Sequence, residues 1–433
     1  MRQSARFVFA ACTALMAAPP VSATAFTSTQ INQALAGLQA MRELNVVALG
    51  DMSINHEVEG KAFVGGNLSG NGGVVGVGSN AHSAQGFTAN NRAVLTVAGA
   101  FGSANSAPQV TINNGLNGVS GKNVSTNVAS GSTPSDNRVD VGGTMYGGAI
   151  NLNSGVQGLP ATVRVGGDIN SGVTINTGDY KKVTYGGTES SNNVTGTQDT
   201  SLANRTTGLG ATLSSATTTM VGNMKQLSTV LASYTANASL NLSDQNNIFI
   251  DYSKTSSSAG FIVVTLDASK LTNNTLSGTF KPTLVSNGNG GYKTTIINVV
   301  GLTAGSTFTY AANGSGDLTS LDQNLIWNLD PVDLNGNVLA NTTFLTNAEL
   351  FGSVLAPFST VKNNNSVNGS VVAGIFNQNG EVHLGTFDDG GTSKIVTAAA
   401  TLAVPETSTW AMMMLGFGLV GVVMRRKGMR IAI

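Results

Sequence analysis

Val163-Arg164-Val165-Gly166-Gly167-Asp168-Ile169 is the stretch that decides the fold. The same pattern stands earlier as Ala62-Phe63-Val64-Gly65-Gly66-Asn67-Leu68 and as Val139-Asp140-Val141-Gly142-Gly143-Thr144-Met145. Weaker copies are Leu95-Thr96-Val97-Ala98-Gly99-Ala100-Phe101 and Val183-Thr184-Tyr185-Gly186-Gly187. The Val-x-Val part alternates, which sends two side chains to one face of a strand. The Gly-Gly pair permits a sharp corner with positive φ. A strand and a corner, repeated at uneven intervals of roughly 20 to 44 residues, predict a mainly β chain. The expected form is an irregular right-handed β-solenoid with inserted loops. A β-sandwich with Gly-rich hairpins is the alternative, but strand–Gly-Gly–strand offers no consistent hairpin partner.

Outward from the repeat, the chain changes period twice. Ser28–Leu44 carries Ile31, Leu35, Leu38 and Met41 on one helical face, with Ser28 or Thr29 as candidate cap. Leu209, Leu213, Ala216, Met220, Met224, Leu227, Leu231 and Tyr234 are spaced by threes and fours. That is the apolar stripe of a long helix, expected to lie on the flank of the solenoid. Strands resume after Asn246, among them Phe261–Leu266, Tyr292–Val300, Asn324–Leu329, Leu350–Pro357, Val367–Phe376 and Glu381–Phe387.

The 433 residues contain 54 Gly and 45 Asn, with only 10% charged and 6% aromatic side chains. No excess of Lys and Arg exists, which excludes a nucleic-acid binder that works through a basic surface. The only cysteine is Cys12, so no disulfide scaffold is available. The hydrophobic share of 41% with low charge disfavours plain disorder.

Both ends read as processing signals. Arg2 and Arg6 precede an apolar stretch from Phe7 to about Ala18, with small residues offering cleavage after Ala23 or Ala25. Residues 1–25 are therefore expected to be a secretory signal peptide. At the other end, Val404-Pro405-Glu406-Thr407-Ser408-Thr409-Trp410-Ala411 leads into an apolar run ending at Met424, followed by Arg425, Arg426, Lys427 and Arg430. As a helix, 410–424 spans roughly 22 Å, short for a ~30 Å hydrocarbon core, and the basic cluster would hold its end in the cytoplasm. An ordinary anchor helix is the plainer reading. Without the two terminal segments, residues 26–404 have 16 basic and 21 acidic side chains, a net charge of −5.

The tail, 404–430, resembles the PEP-CTERM sorting signal, in the variant with Trp-Ala after the motif. The order motif, helix, basic cluster carries the resemblance, through Pro405, Glu406, Trp410, Ala411, Arg425, Arg426 and Lys427. Thr407 replaces the usual second proline. The resemblance implies export in a Gram-negative bacterium, membrane association through the tail, recognition by an exosortase and delivery to the cell surface. Residues 26–390 resemble a choice-of-anchor A domain. The segments that carry this are Asn45–Asp51, Glu57–Leu68, Ile296–Val299, Asn324–Leu329, Gly352–Pro357, Asn368–Ala373 and Gly380–His383. That resemblance implies a surface protein and assigns no reaction. Residues 391–403, small and polar, read as a linker to the tail.

No constellation commits the chain to chemistry. Asp51, His56, Glu57 and Glu59 lie close in sequence, but Glu57 and Glu59 share one strand face while His56 points to the other. No metal and no cofactor is expected. Glu381 and His383 are two apart and could do acid/base work, although a hydrogen-bonded pair at a strand end is the simpler reading. Lys181-Lys182 with Asp179 lacks the acidic cluster a polysaccharide lyase would need. Trp327 is expected in the core rather than as a sugar platform. The expectation is a non-enzymatic surface or matrix protein associated with exopolysaccharide. The alternatives are an adhesin for a polysaccharide or host fibre and, through Thr rows on a β face, an ice binder.

Overall fold

In the computed structural model, the described residues are 26–401 apart from 77–91, 113–137, 153–160, 178–180, 254, 256–259, 283–284, 289–291, 316–320, 333–337, 340 and 390–391. The signal peptide with Ala23 and Ala25, and the tail with Pro405, Glu406, Trp410, Ala411, Arg425, Arg426 and Lys427, lie outside them. The compact unit is Thr27–Ala399.

Apart from the antiparallel pair Ser239–Asn241 and Phe249–Asp251, its strands form three parallel ladders. The first runs, neighbour to neighbour, through Ile262–Asp267, Thr295–Val300, Leu325–Leu329, the start of Ser353–Asn363 and the start of Val371–Gln378. It continues through Val46–Ala48, Ala62–Val64, Leu95–Val97, Arg138–Val141, Ala161–Val165, Lys181–Tyr185 and Thr197–Gln198. The second joins Thr275–Phe280, Thr307–Gly314, Thr343–Thr346, the ends of Ser353–Asn363 and Val371–Gln378, then Met52–Ile54 and Leu68–Gly70. The third passes from Leu350–Phe351, Val367–Asn368 and Val382–His383 through Val58 to Gly72–Val75, Gln109–Ile112, Gly148–Leu152 and Val173–Thr177. Successive stretches of chain thus give one short strand to the first and second ladders in turn from Ile262 to Leu329, and the third ladder joins the cycle from Leu350. This parallel stacking is consistent with the expected solenoid and leaves no role for hairpins as the main connection.

The order within the ladders is not the order of the chain. The N-terminal strand Val46–Ala48 is held between Ala62–Val64 and the late strand Val371–Gln378. The stack therefore starts in its middle, grows to one end at Thr197–Gln198, restarts at the other end near Ile262 and closes back on its own beginning.

Alternation explains the core. Val163 and Val165 are fully buried while Arg164 and Thr162 between and before them are half-buried. The inward residues of all three ladders fill one continuous column. Trp327 sits in it with Tyr310 and Phe280 edge-on at centroid distances of 5.3 and 5.6 Å. Its Nε1 donates to the Phe351 carbonyl at 3.1 Å, which satisfies the indole in a buried place.

The Gly-Gly corners have a different reason from the one expected. Gly65, Gly66, Gly142, Gly143, Gly166 and Gly167 are not among the positive-φ residues. Glycine is required there by close approach. A Cβ on Gly65 would stand 2.4 Å from the Leu49 carbonyl oxygen, and one on Gly166 2.3 Å from that of Gly142. The freed space admits a polar side chain from the neighbouring turn of chain. Asp51 Oδ1 accepts from Asn67 N at 2.7 Å, and Asn67 Oδ1 from Ala100 N at 2.8 Å. Asp168 Oδ1 accepts from Thr188 N at 2.6 Å.

Helix α1, Ser28–Glu43, starts one residue before the expected caps, on a Thr27–Gln30 capping box. Helix α2, Leu209–Ala232, buries Leu209, Leu213, Met220, Met224, Leu227 and Leu231 of the expected stripe. It runs along the first ladder. Gly210 lies against Gly142 and Gly166, and the Leu231 carbonyl accepts from Asn298 Nδ2 at 2.9 Å. From Gly210 to Leu231 a helix rises about 32 Å. The ladder steps from Arg138–Val141 to Thr295–Val300 sum to about 34 Å at ~4.8 Å each. The helix axis is therefore aligned with the stack. The stretch read as a linker contains a third helix, α3, Lys394–Thr401, in which Ile395, Val396 and Ala399 are buried.

Candidate functional site

The first ladder turns its outward side toward the helices. In one register row stand Asn298, Asn328, Leu355, Val372, Val47 and Phe63. Asn328 Nδ2 donates to Asn298 Oδ1 at 2.8 Å and to the Ser228 carbonyl at 3.2 Å, and Ser228 Oγ donates to Asn328 Oδ1 at 2.8 Å. Buried amides are thus fully engaged with α2. Farther along, Asp140 is buried and takes a bidentate pair from Arg164 at 2.7 Å. This face is occupied by its own chain.

The second ladder is open. Thr307, Thr343 and Thr360 are in register on its outward side, followed by Ile375, which is 45% exposed. The next row reads Thr275, Thr309, Leu345, Lys362, Asn377, Ser53 and Ser69. At the corner toward the third ladder, Asn347, Asn364, Asn379, Asn55 and Asn71 come from five successive turns of the chain. The sequence does not show these residues as a row because it crosses from the end of the chain to its start.

The third ladder unites two groups that the sequence leaves far apart. Val58 bridges both Val75 and Val382, which sets Glu57 and Glu59 beside Glu381 and His383. His383 Nε2 meets Glu381 Oε2 at 2.9 Å and its Nδ1 meets Asn368 Oδ1 at 2.6 Å. Asn368 Nδ2 donates to Glu349 Oε1 at 2.8 Å, and Glu59 Oε2 accepts from Leu384 N at 2.6 Å. Burial works against the charged imidazole. The hydrogen bond to Glu381 and the charges of Glu59, Glu381 and Glu349 outweigh it, so the pKa of His383 is raised. Glu57 is also raised, first by burial and then by Glu59 and Glu381. Both ring nitrogens of His383 are engaged, as the simpler reading of this pair requires. His56 is exposed and Asp51 serves the Gly-Gly corner, so the four residues near the start do not converge. Among the described residues no group of three or more His, Cys, Asp or Glu could hold a metal ion. Among them, too, no helix is long and apolar enough to cross a membrane.

The stack thus has a largely covered face, an open face and a continuous core. Residues 127–384, more than half of the chain, match the family model described as "Putative Ice-binding-like adhesive domain". The chain belongs to this family. The match takes in α2 and both ends of the ice-binding-like adhesive domain's stack, and it leaves out α1 and the early strands from Val46 to Ile112. Residues 403–427 match the PEP-CTERM protein-sorting motif, which agrees with the tail read from the sequence and supports export to the cell surface and an exosortase partner. No curated protein matches the chain. The family model that covers the β-rich region is the adhesive one, and choice-of-anchor A stays a resemblance of residues 26–390.

Proposed function

We propose that this protein is a non-enzymatic surface adhesin, a right-handed β-solenoid released to the cell surface through its PEP-CTERM tail, whose open faces hold exopolysaccharide. The observation that carries the reading is the division of labour among the ladders. The helices cover the middle of one outward face, from Asn298 to Phe63, while the second ladder leaves Thr, Ser and Asn rows uncovered. Exopolysaccharide suits such rows because hydroxyls and amides both donate and accept. The engaged state of His383 supports a structural role for the Glu381–His383 pair. Before processing, the apolar run 410–424 would hold the tail in the membrane.

The test compares cells that export the wild-type chain with cells that lack it, measuring their retention in polysaccharide matrix. Loss of retention on deletion is expected, and equal retention would sink the adhesin reading. Intact-mass analysis of the surface form should show the tail removed; an intact C-terminus would mean a simple anchor. A second reading, ice binding, draws on the family description and on the in-register Thr307, Thr343 and Thr360. Thermal hysteresis of the purified protein that vanishes on Thr343→Tyr would favour it.

A further inference from the structure

The asparagine row between the second and third ladders joins into a chain of side-chain amides. Asn364 Nδ2 donates to Asn347 Oδ1 at 2.9 Å, Asn379 Nδ2 to Asn364 Oδ1 at 3.4 Å, and Asn55 Nδ2 to Asn379 Oδ1 at 3.5 Å. Asn55 Oδ1 accepts from Asn71 N at 3.0 Å. Four of the five are exposed and Asn55 is half-buried. An amide has two N–H donors and two lone pairs. The bonds along the row use only part of that capacity, so at the four exposed positions the remainder faces solvent, while Asn55 Nδ2 also donates to the Gln378 carbonyl at 2.8 Å and Ser53 Oγ at 3.3 Å.

The row does not simply stop. At Asn71 it opens into a groove lined by Ser69, Gly70, Asn71, Asn105, Ser106 and Ala107. The groove wall is fixed. Ser103 and Ser106 exchange backbone hydrogen bonds, and Ser106 Oγ accepts from Gly70 N at 2.8 Å and donates to the Gly70 carbonyl at 3.0 Å. Neither the row nor the groove contains an ionisable side chain.

We propose that the row and groove bind an extended, uncharged 1,4-linked polysaccharide laid along the stack axis, one sugar ring per turn of chain, with one end of the glycan in the groove. The proposal deepens the adhesin reading and rests on it. Three observations select the ligand class. The amides recur at the strand spacing of ~4.8 Å, which is about the advance of one pyranose ring in an extended chain. All but Asn55, whose Nδ2 is spent on the Gln378 carbonyl at 2.8 Å and Ser53 Oγ at 3.3 Å, offer donor and acceptor together, as sugar hydroxyls do. An acidic glycan finds no cation on the row and meets a domain of net charge −5. A protein partner is disfavoured, since the row lacks the aromatic and apolar anchors that centre such interfaces.

The test titrates the full-length protein with cellohexaose and, separately, with hexagalacturonate, and measures retention of the exporting cells in parallel. Saturable binding of cellohexaose is expected, with hexagalacturonate at least about tenfold weaker. The double variant Asn364→Ala/Asn379→Ala should weaken cellohexaose by about tenfold or more. Because that variant also loosens the stack, Asn105→Trp serves as a second probe. It fills the groove from an exposed turn and should weaken binding with an unchanged melting temperature. Unaltered affinity in Asn105→Trp and the double variant overturns the site. Absent cellohexaose binding with full cell retention overturns it too, and leaves the adhesin reading standing. Binding as expected without any retention would instead remove the adhesin reading.

Discussion

The outward sides of the first and second ladders are built on the same strand pairing and have opposite fates. Under α2, Asn298 and Asn328 are buried and hydrogen-bonded to each other and to the helix. On the second ladder, Thr and Asn stand in rows with solvent as a main partner. A buried polar group must be hydrogen-bonded or it costs stability, whereas an exposed one is free to be chosen for other ends. The comparison teaches that the same residue type does structural work on one face and remains available for contact on the other.

Four measurements test that contrast, in order of falling effect. Gly37 lets α1 approach α2, and a Cβ there would stand 2.7 Å from the Asn223 carbonyl oxygen. Gly37→Val should therefore cost about 3 kcal/mol in chemical denaturation; a cost below about 0.5 kcal/mol would mean that the helix pair is not tightly seated. Asn328→Leu strips partners from Asn298 and Ser228 and should cost about 2 kcal/mol, read the same way. An unchanged stability would show that the buried amides are dispensable.

The third effect is a pH dependence at the Glu57–His383 cluster. A His with a raised folded pKa contributes stability that is complete below 6.5 and is lost as pH rises through the folded value. Glu57, raised above 4.5, is least favourable when ionised and recovers as pH falls toward that value. Glu59 and Glu381 act on both groups, and Glu349 on His383. Acidification from about pH 8 to about pH 5 should raise the melting temperature through this cluster by a few degrees at most, roughly 1–3 °C, because His383 and Glu381 are partly exposed. His383→Gln with Glu57→Gln should flatten the response, and an undiminished response would place its origin elsewhere. The smallest stability change belongs to the open face. Thr343→Val with Thr360→Val should stay within about 0.5 kcal/mol of wild type, and a larger loss would reveal that this face is not open.

Much of this was legible in the residues. The Val-x-Val-Gly-Gly copies named five strands of the first ladder, and the stripe from Leu209 to Leu231 gave α2 and its buried side. The register was not legible. A local repeat says that strands stack, but not that Val46–Ala48 is inserted beside Val371–Gln378, because every copy presents the same edge. For that reason Glu57 and Glu59 could not be joined with Glu381 and His383, nor the five asparagines with one another. The corners misled in a second way: Gly-Gly is compatible with positive φ and with close packing alike, and only neighbouring carbonyls decide between them. α3 was hidden because its small residues resemble a spacer until Tyr234, whose hydroxyl donates to the Ile395 carbonyl at 2.8 Å, and the buried Ile395 and Val396 are seen together.

The insertion of the first strand beside the last has a consequence in time. A chain is made and delivered from its N-terminus, so Val46–Ala48 emerges early, while its partner Val371–Ala373 is among the last strands to appear. Throughout that interval one edge of the nascent sheet stays unpaired, and such an edge recruits any strand within reach. The waiting period is set by about three quarters of the chain's length. Completion of the stack therefore coincides with the arrival of the sorting tail, and an interrupted chain is left with an adhesive edge of the wrong kind.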